Sequence, residues 1–213
     1  MRTTCLCCAL ALGAALAQLA QAPTLRFTPV PNAALTRQTW TLEFEYPQTQ
    51  AGRAYDFHDA ALRNQGWQRV TANRRGTGND LKYEAEYRRG DTRAELQVDQ
   101  DDATAEIELE VTTGSFGNEL ALNSPPNLSL SYLDGATLRD QSWKLTSLYR
   151  NTDTAAVYTH YDRALTGQGA RRTGFDKDDG EYDVDYDLNG VRVNLEVERG
   201  GDGVSAEVEY QPS

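Results

Sequence analysis

Residues 81–111 read LKYEAEYRRGDTRAELQVDQDDATAEIELEV, and apolar and polar side chains take turns along nearly all of it. Leu81, Tyr83, Ala85 and Tyr87 share one face, while Lys82, Glu84, Glu86 and Arg88 share the other. Ala94, Leu96 and Val98 then alternate with Arg93, Glu95 and Gln97, and Ala105, Ile107, Leu109 and Val111 with Glu106, Glu108 and Glu110. Successive side chains of a strand point to opposite faces, so a period of two predicts three strands. Alternation of this kind predicts an antiparallel sheet with one buried and one wet face.

The pattern is written again near the C-terminus, in Val184, Tyr186 and Leu188, then Val193, Leu195 and Val197, then Val204, Ala206, Val208 and Tyr210. A shift of 99 residues carries Tyr83, Tyr87, Arg93, Leu96, Val98, Glu108 and Glu110 onto Tyr182, Tyr186, Arg192, Leu195, Val197, Glu207 and Glu209. Upstream the shift is 103 residues, and Trp40, Leu42, Tyr46, Tyr55, Asp59, Leu62, Gly66 and Arg69 fall on Trp143, Leu145, Tyr149, Tyr158, Asp162, Leu165, Gly169 and Arg172. One gap, around residues 73–79, reconciles the two shifts. So many matches in one order mark an internal duplication with a period suited to a small domain rather than a solenoid unit.

Each copy opens with a turn, Pro31-Asn32 or Asp134-Gly135, followed by a strand at residues 40–46 or 143–149. Thr49 and Thr152 stand where a hydroxyl would cap a helix. Tyr55, His58 and Leu62, like Tyr158, Tyr161 and Leu165, recur at helical spacing, and Gly66 and Gly169 end the helix. With a short strand at 67–71, the predicted fold class is α+β: two tandem repeats, each β-α-β-β-β-β, with one helix packed on a mainly antiparallel sheet.

The first residues are of another kind. Arg2 is the only early charge, and an uncharged run leads to Ala15-Leu16-Ala17, the small-x-small pattern of a signal-peptidase site. The expected organisation is a signal peptide at 1–17, repeat 1 at 25–113, a linker at 114–126 containing Pro125-Pro126, and repeat 2 at 127–213. The apolar run is far shorter than a membrane span requires, so no span is expected in the mature chain. Cys5, Cys7 and Cys8 are the three cysteines and all lie in this leader. The mature chain is therefore expected to be without disulfides, thiolate chemistry or cysteine-bound metal. A net charge of −11 opposes nucleic acid and anionic lipid as partners.

The passage Tyr55-Asp56-Phe57-His58-Asp59-Ala60-Ala61-Leu62-Arg63-Asn64-Gln65-Gly66-Trp67 resembles a small α+β domain found in many uncharacterised bacterial exported proteins and lipoproteins. In that domain an aromatic-rich helix ends in Gly-Trp and alternating strands follow. The likeness covers most of each copy, although Ala170 stands in the Trp position of the second. The resemblance implies a cell-envelope location and assigns no catalytic residue.

Candidate chemistry is sparse. His58 and His160 are not equivalent positions, because His58 matches Tyr161 and His160 matches Phe57, so they read as helix-face rings. Asp176-Lys177-Asp178-Asp179-Gly180-Glu181 has the look of a calcium loop. In an EF-hand the glycine is sixth and a glutamate twelfth; here Gly180 is fifth and Asp187 twelfth. Asp176, Asp178 and Asp179 are the candidate cation contacts, weighed against a solvated hairpin tip. Glu106, Glu108 and Glu110 are close enough for a carboxylate hydrolase, but nothing in the sequence encloses them. Trp67, unmatched in the duplication, is a candidate for a copy-specific contact surface.

The expected function is that of an exported, non-enzymatic binding or structural module of the envelope, periplasmic or extracellular, with a protein or glycan partner and no cofactor. Calcium binding through the Asp-rich hairpins and carboxylate-dependent hydrolysis are the alternatives.

Overall fold

The computed structural model describes residues 26–27, 33–114, 120–121 and 132–211. The expected signal peptide and most of the expected linker lie outside them. In chain order the elements are β1 (Arg26–Phe27), β2 (Ala33–Pro47), α1 (Ala51–Asn64), β3 (Gln68–Arg75), a short 3-10 turn (Gly78–Asp80), β4 (Lys82–Arg89), β5 (Thr92–Asp101), β6 (Thr104–Gly114) and β7 (Leu120–Ala121). The second part holds β8 (Thr137–Tyr149), α2 (Thr154–Gly167), β9 (Arg171–Arg172), β10 (Asp176–Asp178), β11 (Glu181–Leu188), β12 (Val191–Gly200) and β13 (Gly203–Gln211).

The α+β expectation is overturned. The described residues are mostly antiparallel sheet, 59% strand against 20% helix, and eleven of the strands form one sheet rather than two separate repeat units. The order is β10-β11-β12-β13-β8-β2-β6-β5-β4-β3, with β9 beside β11. The reason lies in β2 and β8. Both begin well before the tryptophans from which the sequence reading started them, and they pair antiparallel from Ala33↔Tyr149 to Glu45↔Thr137. In an isolated unit each would be an edge with unpaired N–H and C=O groups, and pairing them with each other removes both edges.

Directly opposed residues share a face, and Trp40 opposes Trp143. The apolar faces of the two halves are therefore on one side of the sheet. Both helices cover that side, α1 over β4–β6 and α2 over β11–β13. The expected threonine caps are not the ones used. Asp153 caps α2 by accepting the Ala156 N–H at 2.7 Å, and the first N–H of α1, at Ala51, is taken at 2.7 Å by Gln100 Oε1 from β5. Both helices end at a left-handed glycine, Gly66 or Gly169, and the next N–H returns to Leu62 or Leu165. That 6→1 bond satisfies a last-turn carbonyl and turns the chain back under the helix.

Each helix is tied to the sheet by a carboxylate. Asp59 accepts from Tyr87 Oη at 2.8 Å and pairs with Arg69 at 3.1 Å and Arg63 at 3.5 Å. Asp162, its match, accepts from Tyr186 Oη at 2.7 Å and pairs with Arg172 at 2.6 Å. Rings stack beside each latch, Tyr55 on Tyr83 at 4.9 Å and Tyr158 on Tyr182 at 4.4 Å. The partner of the tyrosine hydroxyl on β2 and on β8 differs between the halves. Tyr46 Oη meets His58 Nε2 at 2.8 Å, where Tyr149 Oη meets Tyr161 Oη at 2.6 Å. Burial pushes the Tyr46 hydroxyl up to about 12 and the His58 ring down to about 4.

Candidate functional site

The outward residues of the strands line the side of the sheet that neither helix covers. On β2, β6, β5 and β4 the register puts them in rows across the strands. Glu45 faces Glu106, which faces Asp99, which faces Lys82. Glu43 faces Glu108, then Gln97, then Glu84; Thr41 faces Glu110, then Glu95, then Glu86. Across β13, β12 and β11 the rows are Glu207, Glu196, Asp183 and Glu209, Asn194, Asp185. Side chains directly opposite one another in a ladder are about 5 Å apart at Cβ, and like charges there destabilise the pairing.

Cations at the margins and within the grid neutralise part of this charge. Lys82 lies 3.7 Å from Glu84 and 3.6 Å from Asp99, and Arg93 lies 2.7 Å from Glu86 and 3.2 Å from Glu95. Arg139 pairs with Glu45, and Lys144 pairs with Glu207 at 2.6 Å. Among the described residues Glu43, Glu106, Glu108 and Glu110 make no ion pair; Glu110 accepts from Thr112 Oγ1 at 3.0 Å. Partial burial raises the Glu108 carboxyl above its ordinary value, and the neighbouring charges of Glu43, Glu110 and Glu95 add to the rise. Glu196 is raised in the same way, by burial first and then by Glu198, Glu207 and Asp183. A shallow hollow of about 500 Å³ opens over the first grid, lined by Glu43, Glu45, Gln97, Asp99, Glu106, Glu108 and Arg139.

This arrangement attracts cations and suits general acid–base work poorly. Such work requires one carboxyl kept protonated and another ionised by contrasting surroundings. Glu43 and Glu106 are exposed, and Glu108 is only partly buried on the same open face. A second hollow, of about 570 Å³, lies between the start of α1 and the inserted segment of the first half, beside Arg74, Tyr83 and Gln100. Arg74 lies over the Tyr83 ring at 5.8 Å, and Gln100 already holds the Ala51 N–H, so these groups are engaged within the chain.

Of the residues singled out from sequence, Glu106, Glu108 and Glu110 lie in the grid, while Trp67 and the hairpin at 176–179 lie outside its first half. Trp67 is only 3% exposed and belongs to the core, which corrects its reading as a contact surface. Its backbone N–H returns to the Leu62 carbonyl at the end of α1, and Ala170, whose N–H returns to Leu165, is buried at the matching place in the other half. Asp176 and Asp178 lie on β10 at the edge of the sheet, opposite Asp183 and Glu181. Asp179 and Gly180, both with positive φ, make the two-residue turn to β11. All three aspartates are exposed, and among the described residues no group of three or more His, Cys, Asp or Glu is placed to hold a metal ion. Among the described residues no helix is long and apolar enough to cross a membrane.

Glu43 and Glu45 were missed in sequence, although their alternation with Leu42, Phe44 and Tyr46 placed them on the wet face. Asp59 and Arg69 were visible only as matches between the copies, and Tyr87 as a match and as a residue of the apolar strand face. A charged residue repeated on an otherwise apolar helix face was the signal that it is held by partners. No protein-family model and no curated protein matches the chain.

Proposed function

We propose that the chain is a non-enzymatic binding module of the cell envelope, exported to the periplasm or beyond, and that the uncovered face of its sheet is the surface it binds with. One observation carries this reading. An eleven-stranded sheet is on the order of 50 Å across, and both helices lie on one side of it. The other side is a broad carboxylate-lined surface with no covering layer among the described residues.

The face favours a protein over a glycan. The strand rings, Tyr46, Tyr87, Tyr186 and Tyr210 among them, are buried on the helix side. Among the described residues the exposed large apolar side chains are Val70 and Phe175, one on the edge strand β3 and the other beside β10. No aromatic platform is therefore offered to a sugar ring among the described residues.

Carboxyl footprinting tests the reading. The purified chain is labelled by carbodiimide coupling, alone and mixed with an envelope extract. Protection of Glu43, Glu106, Glu108 and Glu110 in the mixture is the expected result. Protection confined to helix-side carboxylates such as Asp56 and Asp153 overturns it.

A further inference from the structure

We infer that the uncovered face takes a cationic polypeptide, an extended segment carrying lysine or arginine at every second residue; this rests on the reading of that face as the binding surface. The first argument is charge. Glu43 opposes Glu108, Glu45 opposes Glu106, and Glu95 opposes Glu110. Arg139 and Arg93 offset part of the charge at Glu45 and Glu95, while Glu43 and Glu108 oppose each other with no ion pair among the described residues, a cost in the free protein. A bound cation adds attraction and also removes that repulsion.

The second argument is spacing. Glu106, Glu108 and Glu110 are two residues apart on β6 and point the same way. That repeat is about 6.8 Å, and an extended peptide presents alternate side chains on one side at the same interval. Lysines at alternate positions thus meet successive carboxylates in register. Glu207 and Glu209 on β13 repeat the spacing in the second half.

A bare divalent cation fits less well. Calcium takes six to eight oxygens at roughly 2.3–2.6 Å. Here the carboxylates come from separate residues of paired strands whose backbone oxygens are used in the ladder, and among the described residues no group of three or more is placed to hold a metal ion. The rows continue over several strands, more surface than a small polyamine covers.

The test uses the full chain and a fluorescent peptide as long as β6 in which lysine and serine alternate. A second peptide has the same composition with its lysines in one block, and spermidine serves as a competitor. The alternating peptide binds at low salt, and its affinity falls steeply as salt is added. Glu106→Gln, Glu108→Gln and Glu110→Gln combined weaken it about tenfold. That variant loses repulsion and stays folded, which circular dichroism checks, so weakened binding is not unfolding.

Three results overturn the inference: no binding of the alternating peptide, binding unchanged in the triple variant, or equal binding of the blocked peptide. Spermidine displacing the peptide at equal concentration likewise sinks the extended polypeptide in favour of a small polycation. If the peptide fails while an envelope extract still protects these carboxylates, the face remains the binding surface and only its occupant is wrong. If protection is absent as well, both fall.

Discussion

Trp40 stands directly opposite Trp143, its own match in the duplication, in the ladder between β2 and β8, with ring centroids 6.4 Å apart. From Arg37 to Glu43 the register is symmetric about that pair. Leu42 faces Gln141, while Leu145, the match of Leu42, faces Gln38. The halves thus meet about a local two-fold axis, as the two copies of an isologous dimer do. Both indoles are buried, so the seam is part of the core.

The halves should accordingly melt as one body. Trp143→Ala removes a large ring from the seam and is expected to cost about 3–5 kcal/mol. Calorimetry of native protein and variant should show a single transition displaced downward as a whole. Two peaks, only one of them displaced, would mean that the halves unfold independently.

The two carboxylate latches differ in burial and should differ in weight. The Asp59 side chain is 10% exposed and that of Asp162 is 21% exposed. Asp59→Asn weakens a charged hydrogen bond from Tyr87 and leaves Arg69 and Arg63 without their counter-ion, an expected loss of about 2–3 kcal/mol. Asp162→Asn, better solvated, should lose about 1 kcal/mol. Urea midpoints compare them, and the reverse ranking would refute the assignment.

His58 makes the first half acid-sensitive. Its folded pKa is lowered to about 4 from the ordinary 6.5 by burial. The unfolded chain therefore takes up the proton first. The contribution is complete above pH 6.5 and is lost as pH falls from there toward 4, by up to about 3 kcal/mol. His58→Tyr places in the first half the residue that Tyr161 is in the second. The stability difference between native protein and variant, measured in urea, should shift in the variant's favour between pH 7 and pH 4.5.

Glu108 should behave in the opposite sense. Its folded pKa is raised, so the folded state holds the proton more tightly than the unfolded one. That advantage is present below the ordinary carboxylate pKa and disappears as pH rises through the raised value. At neutral pH Glu108→Gln should therefore stabilise the protein by about 0.5 kcal/mol, allowing for solvent screening. At pH 4 the gain should vanish. A destabilised variant at pH 7 would show that the carboxylate is held by a favourable contact.

What the sequence determined by itself was local and periodic. The alternation in residues 81–111 assigned β4, β5 and β6 and told the wet side chains from the buried ones, because strand geometry sends neighbours to opposite faces. Gly66 and Gly169 marked the helix ends, since they take a backbone conformation that other residues resist. Tertiary structure decided how strands meet across long separations. The pairing of β2 with β8 turned two expected α+β units into one mainly β sheet, and it depends on edge hydrogen bonds that every strand offers alike. The ladder between β2 and β6 placed Glu43 opposite Glu108, and the turn that ends α1 carried Trp67 into the core. An acidic face exists here because register, which no single strand encodes, stacks carboxylates from separate strands into rows.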